Sequence, residues 1–501
     1  MSKNYARHIA KGAGVVFLFT VAASFLGYLI RLLLTRQLSV ADYGLFYALF
    51  AFVSFFILFR DLGFGSAIVK FIPEFEAKKQ YKKLKSMLVF TFRIQLIFVL
   101  LSIIFLTIFS NWFALHIFHQ PVSYLIKIFS FILFADLVLV FERCVFQGNQ
   151  KMLLLSLTNF LRVFLILILL FFFKPLNIEK TIFIFILAPI LTALILSPKI
   201  YYLVRPLLKY KTKITKGLKN QIIKFSLPVF FGLIAYMILG YTDTIMLTMF
   251  RSLEEVGLYQ VALPTSRLLF VFTAALTTML FPLSSELWSS DKKEKLKLIL
   301  EKMIKFSFVL ILPALLIMLS FPKLVLNLFF GFQYIQAYLA LQILSLTSIF
   351  FLMRGIMGTS LAGIGKPILN TKAAVIMALS NVIINLLLIP RYGILGAATA
   401  TLLSFIIGFA ITLNYTKKYV QISFPVKSIF KSLVNSLIVL FLIYKLKAIL
   451  VMRPITEFIV VSSAAIMVYA MLTFITKTLS RNDIKIFGSV VKWPKFVKKK
   501  I

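Results

Sequence analysis

Ten ionisable residues stand inside long apolar runs of this 501-residue chain: Arg31, Arg60, Asp61, Arg93, Lys127, Asp136, Arg162, Asp243, Arg267 and Arg354. Charges in such surroundings are costly, and they persist where they pair, line a wet cavity or perform a function. Arginine cannot shed its charge, and its planar fork of donors suits anions that offer two oxygens. Cations outnumber carboxylates in the set, so positive charge is left over for an anionic ligand. Arg60, Arg162 and Arg267 lie deepest. Arg31, Arg93 and Lys127 fall within about two turns of a run's end, where a long side chain can reach polar surroundings. The candidate binding residues are therefore Arg60, Arg267, Arg354, Arg162 and Arg31. Asp61, Asp243 and Asp136 are candidates for coupling to a proton or sodium ion, because a carboxylate in apolar surroundings needs a proton or a cation. For Asp243 an interhelical ion pair is the alternative reading. Asp61 follows Arg60 but points about 100° away from it on a helix, so the two need not pair.

Other chemistry finds little material. Nothing resembles a glycine-rich nucleotide loop, and no stretch could form a soluble domain to hold one. His116 and His119 are three apart but lack a carboxylate or thiol nearby, and His8 stands alone, so no metal is expected. The single cysteine, Cys144, excludes an internal disulfide. No cofactor is expected, and the chain does not read as an enzyme.

The elements that must position these charges are set by composition. The chain is 61% hydrophobic and 14% charged, far from the balance of a soluble domain. Its apolar runs are continuous rather than alternating, which selects membrane-spanning helices over a barrel. About fourteen spans fit, at roughly 13–34, 43–69, 86–109, 122–146, 152–173, 180–203, 225–249, 257–283, 305–329, 336–360, 368–389, 393–415, 430–450 and 456–476. Lys3, Arg7 and Lys11 precede the first run, which is too long for a cleaved leader.

Lys and Arg outnumber Asp and Glu by 55 to 16. The excess sits in alternate loops, at Lys78–Lys85, Lys209–Lys219, Lys292–Lys297, Lys417–Lys418 and the tail ending Lys498–Lys500. That pattern places both termini in the cytoplasm and explains the charge by topology and anionic lipid rather than nucleic acid. The loop carrying Lys445, Lys447 and Arg453 breaks the alternation.

The chain also repeats itself. Residues 26–45 and 239–258 share eight identities in twenty positions at an offset of 213, among them Gly27/Gly240, Ser39/Ser252 and Gly44/Gly257. Gly148–Lys151 echoes Gly363–Lys366. Six spans per copy is an even number, so the copies share one orientation, a parallel pseudo-twofold repeat. The expected organisation is an all-α integral membrane protein. It has a six-helix lobe at 1–212, a second at 213–420, and two further helices with a basic cytoplasmic tail at 421–501. Gly232, Gly240, Pro264, Pro282 and Pro313 could kink spans.

Several motifs resemble a known family. Leu32–Gly44 reads LLLTRQLSVADYG, and Asp61-Leu62-Gly63-Phe64-Gly65 follows it. Later come Tyr241-Thr242-Asp243, Val256-Gly257-Leu258-Tyr259, Leu361–Lys366, Asn385, Ile389-Pro390-Arg391-Tyr392-Gly393 and Gly396-Ala397-Ala398. Over residues 10–415 these are similar, in order, to oligosaccharide flippases of the multidrug/oligosaccharidyl-lipid/polysaccharide exporter superfamily. The resemblance implies a two-lobed fold with alternating access to a central cavity. It also implies an isoprenoid-linked glycan, bearing phosphate or diphosphate, as substrate. Membrane lipids, a proton or sodium ion or the membrane potential as driving force, and glycosyltransferases of the same pathway are the implied partners. Arg60 and Arg267, on repeat-related spans, are expected to face that cavity, with Arg354 in support. The rivals are a multidrug or cation antiporter of the same fold, which an acid-rich cavity would mark, a peptidoglycan-precursor flippase, and a membrane-embedded glycan transferase or polymerase, which an acidic pair at an outer loop would mark.

Overall fold

The computed structural model describes residues 3–450 and 452–479, with the side chains of 3–15, 17, 271–276, 278 and 279 excepted. The tail at Lys498–Lys500 lies outside the described residues, as do the side chains of Lys3, Arg7, His8 and Lys11. The protein is all-α, with no strand among the described residues. In chain order the helices are α1 Lys3–Gln37, α2 Val40–Phe55, α3 Ile57–Asp61, α4 Phe64–Ala77, α5 Tyr81–Ile108, α6 Ser110–Phe113, α7 Ser123–Ser130, α8 Ile132–Gly148, α9 Met152–Phe172 and α10 Ile178–Val204. They continue with α11 Lys216–Phe250, α12 Leu253–Arg267, α13 Val271–Ser289, α14 Lys293–Ser320, α15 Pro322–Phe330, α16 Tyr338–Gly363, α17 Pro367–Val420, α18 Val426–Ile449 and α19 Pro454–Ile475.

Among the described residues, twelve stretches are long and apolar enough to cross a membrane. The helices differ from the expected map at two places. The helix α17 is 54 residues long, about 80 Å at 1.5 Å per residue and so far more than one bilayer crossing. Its backbone leaves the helical region at Gly393, with φ 53° and ψ −129°. The spans expected at 368–389 and 393–415 are its two arms. The span expected at 257–283 falls instead on α12 and α13, which a 3₁₀ turn at Leu268–Phe270 separates.

Starts and breaks follow local chemistry. The Ser39 hydroxyl oxygen accepts the Asp42 amide at 3.0 Å and its hydroxyl donates to the Asp42 carboxylate at 2.7 Å, fixing the start of α2. Asn177 accepts the Lys180 amide at 2.8 Å at the head of α10. The expected second span is not one rod. It breaks at Leu62 and Gly63, whose φ angles are 46° and 78°. A side chain at Gly63 would overlap the Ser226 carbonyl oxygen, so α11 passes directly against the break. A break inside a membrane must satisfy its freed backbone groups locally. Asp61 does so by accepting the Gly65 amide at 2.8 Å.

The chain forms two compact units, residues 1–260 and 261–501. In the first, α1 packs on α9, α8 on α4 and α10, and α2 on α11. Phe64, Ile68, Phe71, Phe75, Met87 and Val145 form one of its buried cores. In the second, α16 packs on α13, α14 and α17, while α18 packs on α14 and α19. Large apolar side chains such as Ile97, Leu101 and Ile108 on α5, or Phe430, Leu437 and Phe441 on α18, are exposed. In a membrane that is the lipid-facing surface. Association between helices there rests on close packing of small residues, and Ala397, Ala398 and Ala400 are fully buried on α17.

One close approach uses two glycines that stand 213 residues apart. A side chain at Gly44 would overlap the Leu253 carbonyl oxygen, and one at Gly257 would overlap the Val40 carbonyl oxygen. Residues 40 and 44 are related to 253 and 257 by the same offset of 213, so the contact is reciprocal.

Candidate functional site

The first unit gathers charge around Asp136, which is 8% exposed on α8. Arg60, in the last turn of α3 just before the break, is 6% exposed. Its Nη1 lies 3.8 Å from Asp136 Oδ2. Arg162 on α9 brings Nη1 to 3.7 Å from Oδ1 of the same carboxylate. Arg143 stands seven residues after Asp136 on α8, hence on the same helix face, and interacts electrostatically with Arg60, Asp136 and Arg162. Two guanidinium groups thus reach one carboxylate, with a third close enough to feel its charge.

The pairing is loose. Both N···O distances exceed those of a charge-assisted hydrogen bond. Arg60 Nη1, Arg143 Nε, Arg162 Nε and Asp136 Oδ1 are buried with no hydrogen-bond partner among the described residues. Buried donors of this kind carry a desolvation cost of about 1–3 kcal/mol each, more for charged groups. The arrangement can accept a multi-oxygen anion, whose oxygens would meet unused N–H donors and whose charge would meet the surplus positive charge. Glu142, 4% exposed, is offset from Asp136 by six residues, about 120° around α8, and forms no ion pair among the described residues.

The other candidates fall elsewhere. Asp61 Oδ1 receives the Gly65 amide and, at 3.4 Å, the Gln95 side-chain amide. Its contacts thus brace the helix break. Asp243, 6% exposed on α11, accepts the Tyr259 hydroxyl at 2.7 Å, and the Gln260 side-chain amide reaches Thr244 Oγ1 at 2.6 Å one residue on. Arg31 does not extend toward a membrane face. It lies over the Tyr47 ring, 4.2 Å from the centroid, and its Nη1 donates to the Gln260 carbonyl at 3.1 Å and the Tyr43 hydroxyl at 3.4 Å. Arg93 and Lys127 are exposed, as expected of residues near span ends.

In the second unit, Arg354 on α16 is partly buried. Its Nη2 is 3.5 Å from Asn370 Oδ1, and its Nε has no hydrogen-bond partner among the described residues. Arg267, the last residue of α12, is exposed.

Arg143 was missed by the sequence reading, as were Gln95 and Tyr47. The signal for Arg143 was its seven-residue spacing from Asp136. It lay in the last turn of the expected span 122–146, where cations are ordinary. Nothing in the sequence marks Gln95 or Tyr47 as partners of Asp61 and Arg31, because those meetings are tertiary.

Comparison with known proteins places this geometry. Residues 9–288 match the family of polysaccharide biosynthesis proteins, and residues 228–387 match the MatE family. An uncharacterized membrane protein of Methanocaldococcus jannaschii is 30% identical over 440 residues, covering 84% of this chain and 86% of its own. A probable low-salt glycan biosynthesis flippase of Haloferax volcanii, Agl15, is 26% identical over 246 residues, 49% of this chain and 52% of its own. Among solved structures, the lipid II flippase MurJ in an inward closed conformation superimposes with a TM-score of 0.75 at 21% identity, over 92% of this chain and 98% of that one. The fold is therefore shared with MurJ, and the charges described above are set in a multi-pass membrane protein of that architecture. The chain belongs to the polysaccharide biosynthesis protein family, as a flippase-type member of the multidrug/oligosaccharidyl-lipid/polysaccharide exporter superfamily.

Proposed function

We propose that the protein moves an isoprenoid-linked oligosaccharide, bearing phosphate or diphosphate, across the cell membrane by alternating access, and that Arg60, Arg143 and Arg162 bind the phosphate. The observation that carries this reading is a carboxylate, Asp136, paired loosely with Arg60 and Arg162 and flanked by Arg143, with unused buried guanidinium donors among the described residues. Asp136 is the resident counter-charge. When the anion enters, guanidinium donors turn to its oxygens, and when it leaves, they relax onto Asp136. This lowers the cost of the empty state without blocking the loaded one. Asp136, Asp61 and Asp243 remain the proposed sites for a coupling proton or sodium ion. Arg354 and Arg267 are the second unit's proposed anion contacts, and Arg31 is a further one in the first.

The proposed topology has both termini in the cytoplasm, following the alternation of basic loops. The proposed repeat pairs a lobe at 1–212 with one at 213–420, and the reciprocal Gly44/Gly257 contact supports it. The Haloferax volcanii relative, described as a probable glycan biosynthesis flippase, supports a glycan as cargo. Surplus positive charge favours an anionic cargo over the cationic drugs an antiporter would take.

The test is transport by the purified protein in proteoliposomes. A fluorescent isoprenoid diphosphate-linked oligosaccharide should cross the bilayer, and the Arg60→Ala and Arg162→Ala proteins should move it at least about tenfold more slowly, since each charge-assisted hydrogen bond contributes about 1.5–3 kcal/mol. Normal transport by both variants, or transport of cationic dyes in preference to the lipid-linked sugar, would overturn the assignment.

A further inference from the structure

The loop that breaks the alternation of charge has a structural counterpart. The helix α14 runs from the basic segment at Lys292–Lys297 to Ser320, about 40 Å at 1.5 Å per residue, so its two ends lie at opposite membrane faces. Beyond Ser320, at the face away from Lys292–Lys297, lies a cavity of about 400 Å³ lined by Ser320, Lys323, Tyr338, Gln342, Lys447 and Glu457, among others. All of these residues belong to the second unit. We propose that this cavity is a binding site for a phosphate anion, distinct from the Asp136 cluster.

Four features converge on it. Neither Lys323 nor Lys447 has a carboxylate within 4.0 Å among the described residues. The Lys323 ammonium lies 4.5 Å from the centroid of the Tyr338 ring, and that of Lys447 lies 4.4 Å from the centroid of Phe321. Lys447 spends one donor on the Ser320 carbonyl at 3.1 Å, which leaves two. Among the described residues the buried Ser320 hydroxyl has no hydrogen-bond partner.

Two helices also begin at the cavity. Both α15 and α19 start with proline, at Pro322 and Pro454, and both prolines line it. The first amides after each proline have no acceptor within their own helix, and the positive ends of both helix dipoles lie there. Glu457 opposes an anion, but two ammonium groups and two helix starts outweigh one carboxylate. The volume fits a phosphate-bearing headgroup.

The site also accounts for the charges themselves. Topology alone gives no reason to retain Lys323, Lys447 and Arg453 at a face where cations are sparse. An anion held there supplies one. The phosphate has two available sources, the headgroup of a lipid in that leaflet and free phosphate in solution.

The experiment uses the full chain in detergent and follows its thermal unfolding. Three probes are added separately: phosphatidylglycerol, diacylglycerol and inorganic phosphate. Wild type should be stabilised by phosphatidylglycerol and not by diacylglycerol, and Lys323→Gln should weaken that response at least about tenfold in concentration. Among the described residues Lys323 makes only a ring contact, so this variant is expected to keep the fold. Ser320→Ala is the second variant and should weaken the response in the same direction. A response to inorganic phosphate that equals that of phosphatidylglycerol and is lost in Lys323→Gln supports the site with free phosphate as its source. A response to phosphatidylglycerol alone supports a lipid headgroup. An unchanged response in Lys323→Gln overturns the proposal. So does an equal loss in Lys292→Gln/Lys295→Gln at the opposite face, which would mark nonspecific surface charge.

Discussion

The two units treat their intramembrane cations differently. In the first, Arg60 and Arg162 lean on Asp136 at 3.7–3.8 Å, Arg143 stands beside them, and Arg31 is wrapped by Tyr43 and Tyr47. In the second, Arg354 meets an asparagine side chain at 3.5 Å and Arg267 is exposed. The ion pairs of the second unit include Lys293–Asp291 and Lys297–Glu294, at the start of α14. The two units have thus met the cost of a buried charge in two ways. One supplies a carboxylate and aromatic faces from within, and the other leaves its arginines with little fixed compensation. A built-in counter-charge makes a cation affordable when no ligand is present, but any ligand must then compete with it.

Substitutions can break or sharpen this contrast. The largest effect should come from Asp136→Asn, which leaves Arg60 and Arg162 without their shared carboxylate beside a third cation, Arg143. Stability should fall by about 3 kcal/mol, read as a lowered melting temperature of the purified protein. An unchanged melting temperature would mean the cluster is solvated rather than paired. Arg60→Ala comes next. It should slow lipid-linked glycan transport by about a hundredfold if two donors are lost, with partial recovery in Arg60→Lys, which keeps charge but loses the fork. Full recovery with lysine would show that charge alone suffices.

Arg162→Ala and Arg354→Ala form a matched pair across the units. Each should reduce transport about tenfold, but only Arg162→Ala should also alter the melting temperature, because only it has a carboxylate partner. Equal thermal shifts would erase the distinction between the units. The smallest effect is expected from Arg31→Lys, which weakens the contact with Tyr47 by about 0.5–2 kcal/mol. A modest fall in melting temperature with transport within about threefold of wild type would fit a bracing role. A loss as large as that of Arg60→Ala would move Arg31 into the binding set.

The sequence made the architecture plain where solvent dictates it. Continuous apolar runs and alternating basic loops mark an all-α membrane protein, because a bilayer permits few other solutions. The breaks were harder to see. Gly63 and Gly393 are positions where the backbone turns left-handed, yet glycine is common in spans for packing reasons too. The separation of α12 from α13 at Leu268–Phe270 has no residue that announces it. Among the charges, sequence singled out Arg60, Asp136 and Arg162 one by one. That they meet depends on how α3, α8 and α9 pack, which no spacing along the chain encodes. Arg143 was overlooked for the opposite reason, since its spacing from Asp136 was visible but its place near a span end made it unremarkable.

The glycine contact described for the fold carries a historical implication. Gly44 faces the backbone at Leu253, and Gly257 faces the backbone at Val40. Subtracting 213 from the larger numbers turns both statements into one: the residue at 44 meets the residue at 40 in another copy. An interface of that kind is self-complementary and closes on itself as a twofold pair. A half-length ancestor dimerising through this surface would already have needed only one glycine to make both contacts. Joining two such genes end to end would convert a concentration-dependent encounter into an intramolecular one. After such a fusion each glycine would answer for one contact alone, and the two copies would be free to diverge everywhere except where their backbones touch.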